Sequence, residues 1–380
     1  MHRHFLALAT LALPIPLLAQ SSIRLTNGVN GGAEIPYAPQ MVPQSGITVE
    51  AWITYNDATI IAGWSHPTIV RQNINGGQES FFLRVQAENT RRTRLSFAIR
   101  TSTSGLTWVN WDFSPGQLLP WTHVAATYDG AMQRLFVNGA EVGSAPGNGQ
   151  PLLDQGSLLH IGKGDPGSTF SAYEVWNGDI DELRLWPFAR TAAEIQSTMN
   201  LELSSVPGLV STWNLNASTG FQDSSSTLHG SAIGAVAFTN TAPALQSIPF
   251  PGASTAGASS AGCLGAIEAT IGSLPQRGNA NFAFVAHRVP ANALAAIVFG
   301  TQNLSVPFRI LGVDLWVDPA SPGFSVFPAT LGPLGSARFS LPIPGAGRPG
   351  FAFAGQFVFV DPCGPQGITA STGLACATIL

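Results

Sequence analysis

Trp121-Thr122-His123-Val124-Ala125-Ala126-Thr127-Tyr128-Asp129-Gly130, then Arg134-Leu135-Phe136-Val137-Asn138-Gly139-Ala140-Glu141-Val142, is the stretch on which the fold turns. Val124, Ala126 and Tyr128 alternate with His123, Ala125 and Thr127, so the two sets fall on opposite faces of a strand. Asn138-Gly139 between two such runs is a hairpin signal, because both turn positions need positive φ. Asp129-Gly130 marks another turn just before it. Working outward, Ile47, Val49, Ala51 and Ile53 share one face of a strand, with Glu50 and Trp52 on the other. Ser80 to Val85 and Arg94 to Ile99 repeat the pattern. Short strands separated by frequent turn signals predict an all-β sandwich. Thr191-Ala192-Ala193-Glu194 matches a capping box and predicts a single short helix, Ala192 to Met199.

Composition agrees. Of 380 residues only 10% are charged, 45% are hydrophobic, and there are 41 Gly and 28 Pro. A disordered chain would be less hydrophobic and more charged, and a coiled coil would be rich in Glu and Lys. A net charge of −4 and a single lysine, Lys163, exclude a nucleic-acid footprint and a polybasic membrane patch.

The ends differ from the middle. Met1-His2-Arg3-His4 followed by the apolar run Phe5 to Ala19 predicts a signal peptide over 1–19 and export, with an uncleaved anchor as the alternative. No second hydrophobic stretch has spanning length. Residues 22–240 hold eight of the nine tryptophans and make the first domain. The uncharged Ala/Ser/Gly/Pro run 241–262 predicts a linker. Residues 263–380 then form a second, smaller β-sandwich, with strands at Asn281–His287, Ala295–Gly300, Phe308–Val317, Ala337–Leu341 and Phe351–Val360. Cys263, Cys363 and Cys376 allow three single bridges and leave one thiol over. Cys363–Cys376, which closes a short loop, is the first choice, and Cys263–Cys376 the second.

The order of motifs resembles the laminin G-like, concanavalin A-like jelly-roll family in its bacterial secreted form. Thr48 to Ile53 is similar to the family's early strand, Trp121 to Gly130 to its most recognisable strand and turn, and Arg134 to Gly139 to the hairpin after it. Gly178-Asp179-Ile180-Asp181-Glu182-Leu183-Arg184-Leu185-Trp186 is similar to the late strand, and Arg190 to Ile195 to the trailing helix. Gly208 to Trp213, then Asp223, is similar to the terminal strand and loop. The resemblance implies two antiparallel sheets over 22–240. It also implies a structural Ca²⁺ between the early loop, here beginning at Asn27, and the late-strand carboxylates Asp179 and Asp181. Residues 262–380 resemble an uncharacterised β module of secreted bacterial proteins, which implies export or surface attachment.

Catalytic relatives carry Glu-x-Asp-x-Glu on one strand, which places the carboxylates on one face for acid and nucleophile work. This chain has only Asp179-Ile180-Asp181, so no catalytic residues are expected. Sugar recognition needs an aromatic face beside planar hydrogen-bonding groups. In Thr107-Trp108-Val109-Asn110-Trp111-Asp112-Phe113, Val109, Trp111 and Phe113 read as core, and Trp108, Asn110 and Asp112 share the other face. Trp64 and Trp176, in expected loops, could add stacking. Trp52, Trp121, Trp186 and Trp213 read as scaffold. The expectation is a secreted protein that binds carbohydrate or a surface glycopolymer without modifying it. The alternatives are an adhesive surface protein that binds other surface proteins, and a divergent polysaccharide-cleaving enzyme.

Overall fold

The computed structural model describes residues 21–41, 46–59, 65–73, 78–88, 91–152, 156–164, 171–204, 206–247, 251–290, 293–332 and 335–379. The expected signal peptide, 1–19, lies outside them. The first part of the chain forms β1 (Ser22–Leu25), β2 (Gly31–Ile35), β3 (Ile47–Ile53), β4 (Thr68–Asn73), β5 (Glu79–Glu88), β6 (Arg91–Thr101), β7 (Gly105–Asp112), β8 (Thr122–Tyr128), β9 (Met132–Val137), β10 (Ala140–Pro146), β11 (Leu159–Ile161) and β12 (Gly178–Trp186). It continues through helix α1 (Ala192–Thr198), β13 (Leu201–Glu202), β14 (Ser211–Trp213), β15 (Ser231–Gly234) and β16 (Ala237–Thr239). Eight strands make one sheet in the order β10-β9-β8-β3-β12-β1-β16, with β14 joined to β12. Seven make the facing sheet, β15-β2-β11-β4-β5-β6-β7.

Period-two alternation builds the core between them. Ile47, Val49, Ala51, Ile53, Val124, Ala126 and Tyr128 pack in one cluster with Phe81, Leu83, Val85, Leu95, Phe97, Ile99 and Val109. The β9–β10 hairpin turns at Asn138 (φ 48°) and Gly139 (φ 75°), the positive-φ pair its sequence predicts. At Asp129 the carboxylate accepts the N–H groups of Ala131 and Met132, closing the preceding turn. The capping box of α1 is present, with Thr191 and Glu194 each accepting the other's backbone N–H.

The outer face of β8 and β3 is not solvated, contrary to simple alternation. Ile195 of α1 covers Ala125 and Phe136. Glu50 is fully buried there, accepting from Arg190 Nη1 (2.8 Å) and Trp186 Nε1 (2.9 Å), with Arg184 Nη1 at 3.7 Å. Burial opposes the charge, but Arg190, Arg184 and His123 outweigh it and hold the Glu50 carboxyl below its ordinary value.

The rest of the chain is a second β unit. A six-stranded sheet has the order Ala253–Ala256, Gly373–Ala377, Ala352–Val360, Ala295–Gly300 and Ser325–Pro328, with Ile368–Ala370 alongside Ala352–Val360. A four-stranded sheet runs Glu268–Ile271, Ala283–His287, Ala337–Ser340 and Thr330–Leu331. Three sequence expectations need correction. The expected strand Phe308–Val317 is a hairpin, Asn303–Ile310 with Val313–Val317, because Leu311 (φ 50°) and Gly312 (φ 80°) form a tight turn. The expected linker 241–262 is built into sheets. Gln246–Ser247 pairs β13, Ala253–Ala256 pairs Gly373–Ala377, and Ala261–Gly262 pairs Gly265–Ala266. Its small residues lack a contrast between faces but fit short, largely exposed strands.

The third correction is the disulfide, which joins Cys263 to Cys363 rather than either cysteine to Cys376. The buried Asp361 carboxylate accepts the N–H groups of both Cys263 and Cys363, gathering the two segments. Cys376 lies mid-strand opposite Ala253 and Phe353 with its thiol buried, and that burial raises the thiol's pKa.

One apolar cluster crosses the seam. Trp186, Phe188, Leu203, Val206 and Leu209 pack with Ile267, Ile271, Phe282, Phe284 and Phe353. Arg338 pairs with the capping carboxylate of Glu194, and Arg190 Nη2 donates to the Gly272 carbonyl (3.4 Å).

Two buried histidines make the fold acid-sensitive. Burial lowers His123 to about 4 against the pull of Glu50, with Arg184 and Arg190 adding to the fall. Burial, reinforced by Arg288, lowers His287 to about 3. The unfolded chain takes up these protons near the ordinary value of about 6.5. The stability from burying neutral imidazoles is therefore complete above that pH and is lost as pH falls toward 4. The loss is up to about 1.4 kcal/mol per pH unit for each histidine. Denaturant titrations at pH 7 and 4.5 are expected to show it, with a shallower dependence in His287→Leu. An equal dependence in that variant would remove His287 from the account.

Candidate functional site

Strand β7 is one edge of the seven-stranded sheet, β15 being the other. Val109 enters the core, so Trp108, Asn110 and Asp112 are turned to the sheet's outer face, as the sequence predicts. Register lines up three cross-strand rows. Arg71, Phe82, Ala98 and Trp108 form the first, and Thr68, Arg84, Ser96 and Asn110 the second. Gln86, Arg94 and Asp112 form the third.

Each row has a defined chemistry. The half-buried Trp108 meets the buried Phe82 edge-on at 4.8 Å between centroids. The Arg84 guanidinium lies 3.9 Å from the Phe82 centroid and 5.6 Å from that of Trp108, within cation–π range. Ser96 Oγ donates to the amide oxygen of the exposed Asn110 at 2.6 Å. Arg94 grips Asp112 with two parallel bonds, Nε to Oδ1 at 2.6 Å and Nη2 to Oδ2 at 2.9 Å. Next to the first row, burial and the positive charges of Arg84 and Arg71 lower His66 to about 4, which keeps its imidazole neutral. An indole and planar amide, carboxylate and guanidinium groups thus share one surface.

The other expected contributors part company with this face. Trp176 is fully buried, with Nε1 donating to the Thr54 carbonyl (2.9 Å) and its ring against Tyr55 (4.9 Å). It braces the core and offers no stacking surface. Trp64 lies outside the described residues.

The residues expected to hold calcium have hydrogen-bond partners within the protein. Ca²⁺ takes six to eight hard oxygens. Both carboxylate oxygens of Asp179 are held by Arg24, at 2.6 and 2.8 Å. Asn27 donates its amide nitrogen to the carbonyls of Tyr173 (2.7 Å) and Val175 (2.9 Å). Asp181 is buried, with Oδ1 accepting the Glu182 N–H. Burial, then the neighbouring Glu182, raises its pKa and favours the uncharged acid.

Sequence reasoning missed a second feature. At the opposite sheet, a cleft of about 730 Å³ is lined by Arg24, Thr54, Asn56, Thr59, Trp121 and Asp179 among others. Trp121, read as scaffold, is only half-buried and lines its wall with Leu119 and Pro120. The signal available was Leu119-Pro120-Trp121, an apolar run just outside the strand that opens at Thr122.

Comparison with known proteins agrees with the architecture. The profile of the concanavalin A-like lectin/glucanases superfamily matches residues 27–196. Pappalysin-1 of Mus musculus is 37% identical over 91 residues, and so is pappalysin-1 of Homo sapiens. The match spans 23% of this chain and only 5% of each pappalysin. A proposed carbohydrate-binding protein from Bacteroides ovatus is 20% identical, with TM-score 0.45 over 59% of this chain and 60% of the other. The heptameric SAP-like pentraxin of Limulus polyphemus is 15% identical, with TM-score 0.40 over 58% of this chain and 94% of the other. With its two stacked antiparallel sheets and matching profile, the segment 27–196 has the jelly-roll fold of the concanavalin A-like lectin/glucanases superfamily.

Proposed function

We propose that this is an exported protein that binds carbohydrate, or a glycopolymer at a surface, without cleaving it. The observation that carries the reading is the set of three rows on the outer face of β5, β6 and β7. There Trp108 supplies a stacking ring within reach of Asn110, Asp112, Arg94 and Arg84. Pyranose rings present one apolar C–H face and a rim of hydroxyls, which asks for such a mixture. The disulfide and the expected leader support export. Among the described residues no helix is long and apolar enough to cross a membrane. The superfamily spans binders and hydrolases, so fold alone does not choose between them. Lack of a Glu-x-Asp-x-Glu strand favours binding, as does the commitment of Asp179 to Arg24.

The test is a glycan array probed with the exported chain and with Trp108→Ala. At least one glycan is expected to bind, with about tenfold or greater weakening in the variant, the loss of one aromatic platform. An array on which nothing binds, or on which the variant matches the parent, ends this reading. A second reading, adhesion to another protein, is favoured by the exposed apolar side chains Val306, Phe308, Ile310 and Leu311 of the second unit.

A further inference from the structure

We propose that the cleft beside Trp121 is a second, separate ligand site, shaped for an uncharged saccharide ring. The outer face of the eight-stranded sheet divides in two. One half is closed: Ile195 of α1 packs on Ala125 and Phe136, and Trp52 Nε1 donates to the Met199 carbonyl (2.7 Å). The other half, where β1, β3, β8 and β12 reach one end of the sandwich, stays open as the 730 Å³ cleft. That volume lies in the range of small-ligand sites, about 300–1,000 Å³.

Its wall and floor have complementary chemistry. Trp121, Pro120 and Leu119 form the apolar wall, and Leu119 is 53% exposed. Opposite is the Arg24–Asp179 pair, in which Asp179 is almost fully buried while the Arg24 side chain is half exposed. Asp179 takes Nε and Nη2 of Arg24 and fixes the plane of the guanidinium. A guanidinium carries five N–H groups, so donors remain to face the cleft. Asp179 also accepts from Thr241 Oγ1 (3.3 Å), which narrows one end. Below, Asn177 Nδ2 donates to Thr59 Oγ1 (2.8 Å) and to the Asn56 carbonyl (2.6 Å), fixing the segment that presents Asn56 and Thr59.

These facts select the ligand class. The ion pair offers donors and acceptors without net charge, so it gives an anionic ligand little to gain. An ordinary apolar ligand would cover the half-exposed Arg24 without replacing its contacts with water, which is costly. A neutral sugar satisfies both sides, its C–H face on the indole and its hydroxyls on the remaining N–H groups of Arg24 and on Asn56. The site shares no residue with the Trp108 face and does not depend on that reading.

Saturation-transfer NMR on the full exported chain tests it, with maltose, cellobiose, xylobiose and chitobiose as neutral probes and galacturonate as the charged one. The expected result is binding of at least one neutral disaccharide, weakened about tenfold or more in Trp121→Ala and restored in Trp121→Phe, which keeps a ring. Thermal melts of each variant separate lost binding from lost folding. The proposal is overturned if no neutral probe binds, if galacturonate binds in preference, or if Trp121→Ala binds as the parent does. A signal abolished by Trp108→Ala and untouched by Trp121→Ala belongs to the sheet face and likewise overturns it.

Discussion

Arg190→Met is expected to cost about 3–5 kcal/mol of stability, the usual range when one partner of a buried ion pair is removed. Arg190 is 2% exposed and its guanidinium makes four hydrogen bonds: to Glu50 Oε1, to the Glu194 carbonyl (2.6 Å), to Thr198 Oγ1 (2.7 Å) and to the Gly272 carbonyl. Its guanidinium also lies 4.3 Å from the Trp186 ring centre. Methionine fills much of the volume but leaves Glu50 charged and buried, with Trp186 Nε1 and the more distant Arg184 as donors. The double variant Arg190→Met/Glu50→Gln is expected to recover part of the loss, since the uncompensated charge is then gone. Arg338→Met is expected to cost less, about 1–3 kcal/mol, because the Arg338 side is 28% exposed and the buried Glu194 keeps the Thr191 N–H. Urea unfolding of the three variants measures these differences, and an Arg190→Met loss no larger than that of Arg338→Met would refute the network as a central support.

Replacing both Cys263 and Cys363 by serine is expected to cost about 3–5 kcal/mol. The bridge spans a sequence separation of 100 residues. In the chain-entropy account, closing a loop of that size restricts the unfolded state by about 4.7 kcal/mol. The Asp361 carboxylate still collects both backbone N–H groups after the exchange, so the native geometry has a reason to persist. Guanidinium unfolding checks the figure. A loss under about 1 kcal/mol would mean that the open chain stays compact when unfolded. Cys376→Ala is the natural comparison, because it removes a buried sulfur without touching the bridge.

The first sandwich was legible because its strands obey period two and its turns carry their own chemistry. The pattern Val124, Ala126, Tyr128 and the pair Asn138-Gly139 each point to one local structure, and the structure has both. What escaped depends on partners far away in sequence. Glu50 reads as a solvent-facing strand residue until α1 and Arg190 come over it. Cysteine spacing gives loop length but not register, and register sends Cys376 into the core beside Phe353. The turn Leu311-Gly312 was hidden because leucine seldom takes positive φ. At the sheet face, Trp108, Asn110 and Asp112 were found together because alternation alone places them. Trp176 was misplaced because its indole N–H is answered by Thr54, more than a hundred residues earlier.

Trp186 and Phe188 sit at the end of the first sandwich and look into the second. Evolution often treats such lectin-like modules as portable cassettes, to be copied into new chains. Here that traffic has a toll: lifting residues 22–240 out intact would lay open the oily patch formed by Trp186, Phe188, Leu203, Val206 and Leu209. Transplanting the first sandwich means carrying its companion along, or resurfacing those five side chains first.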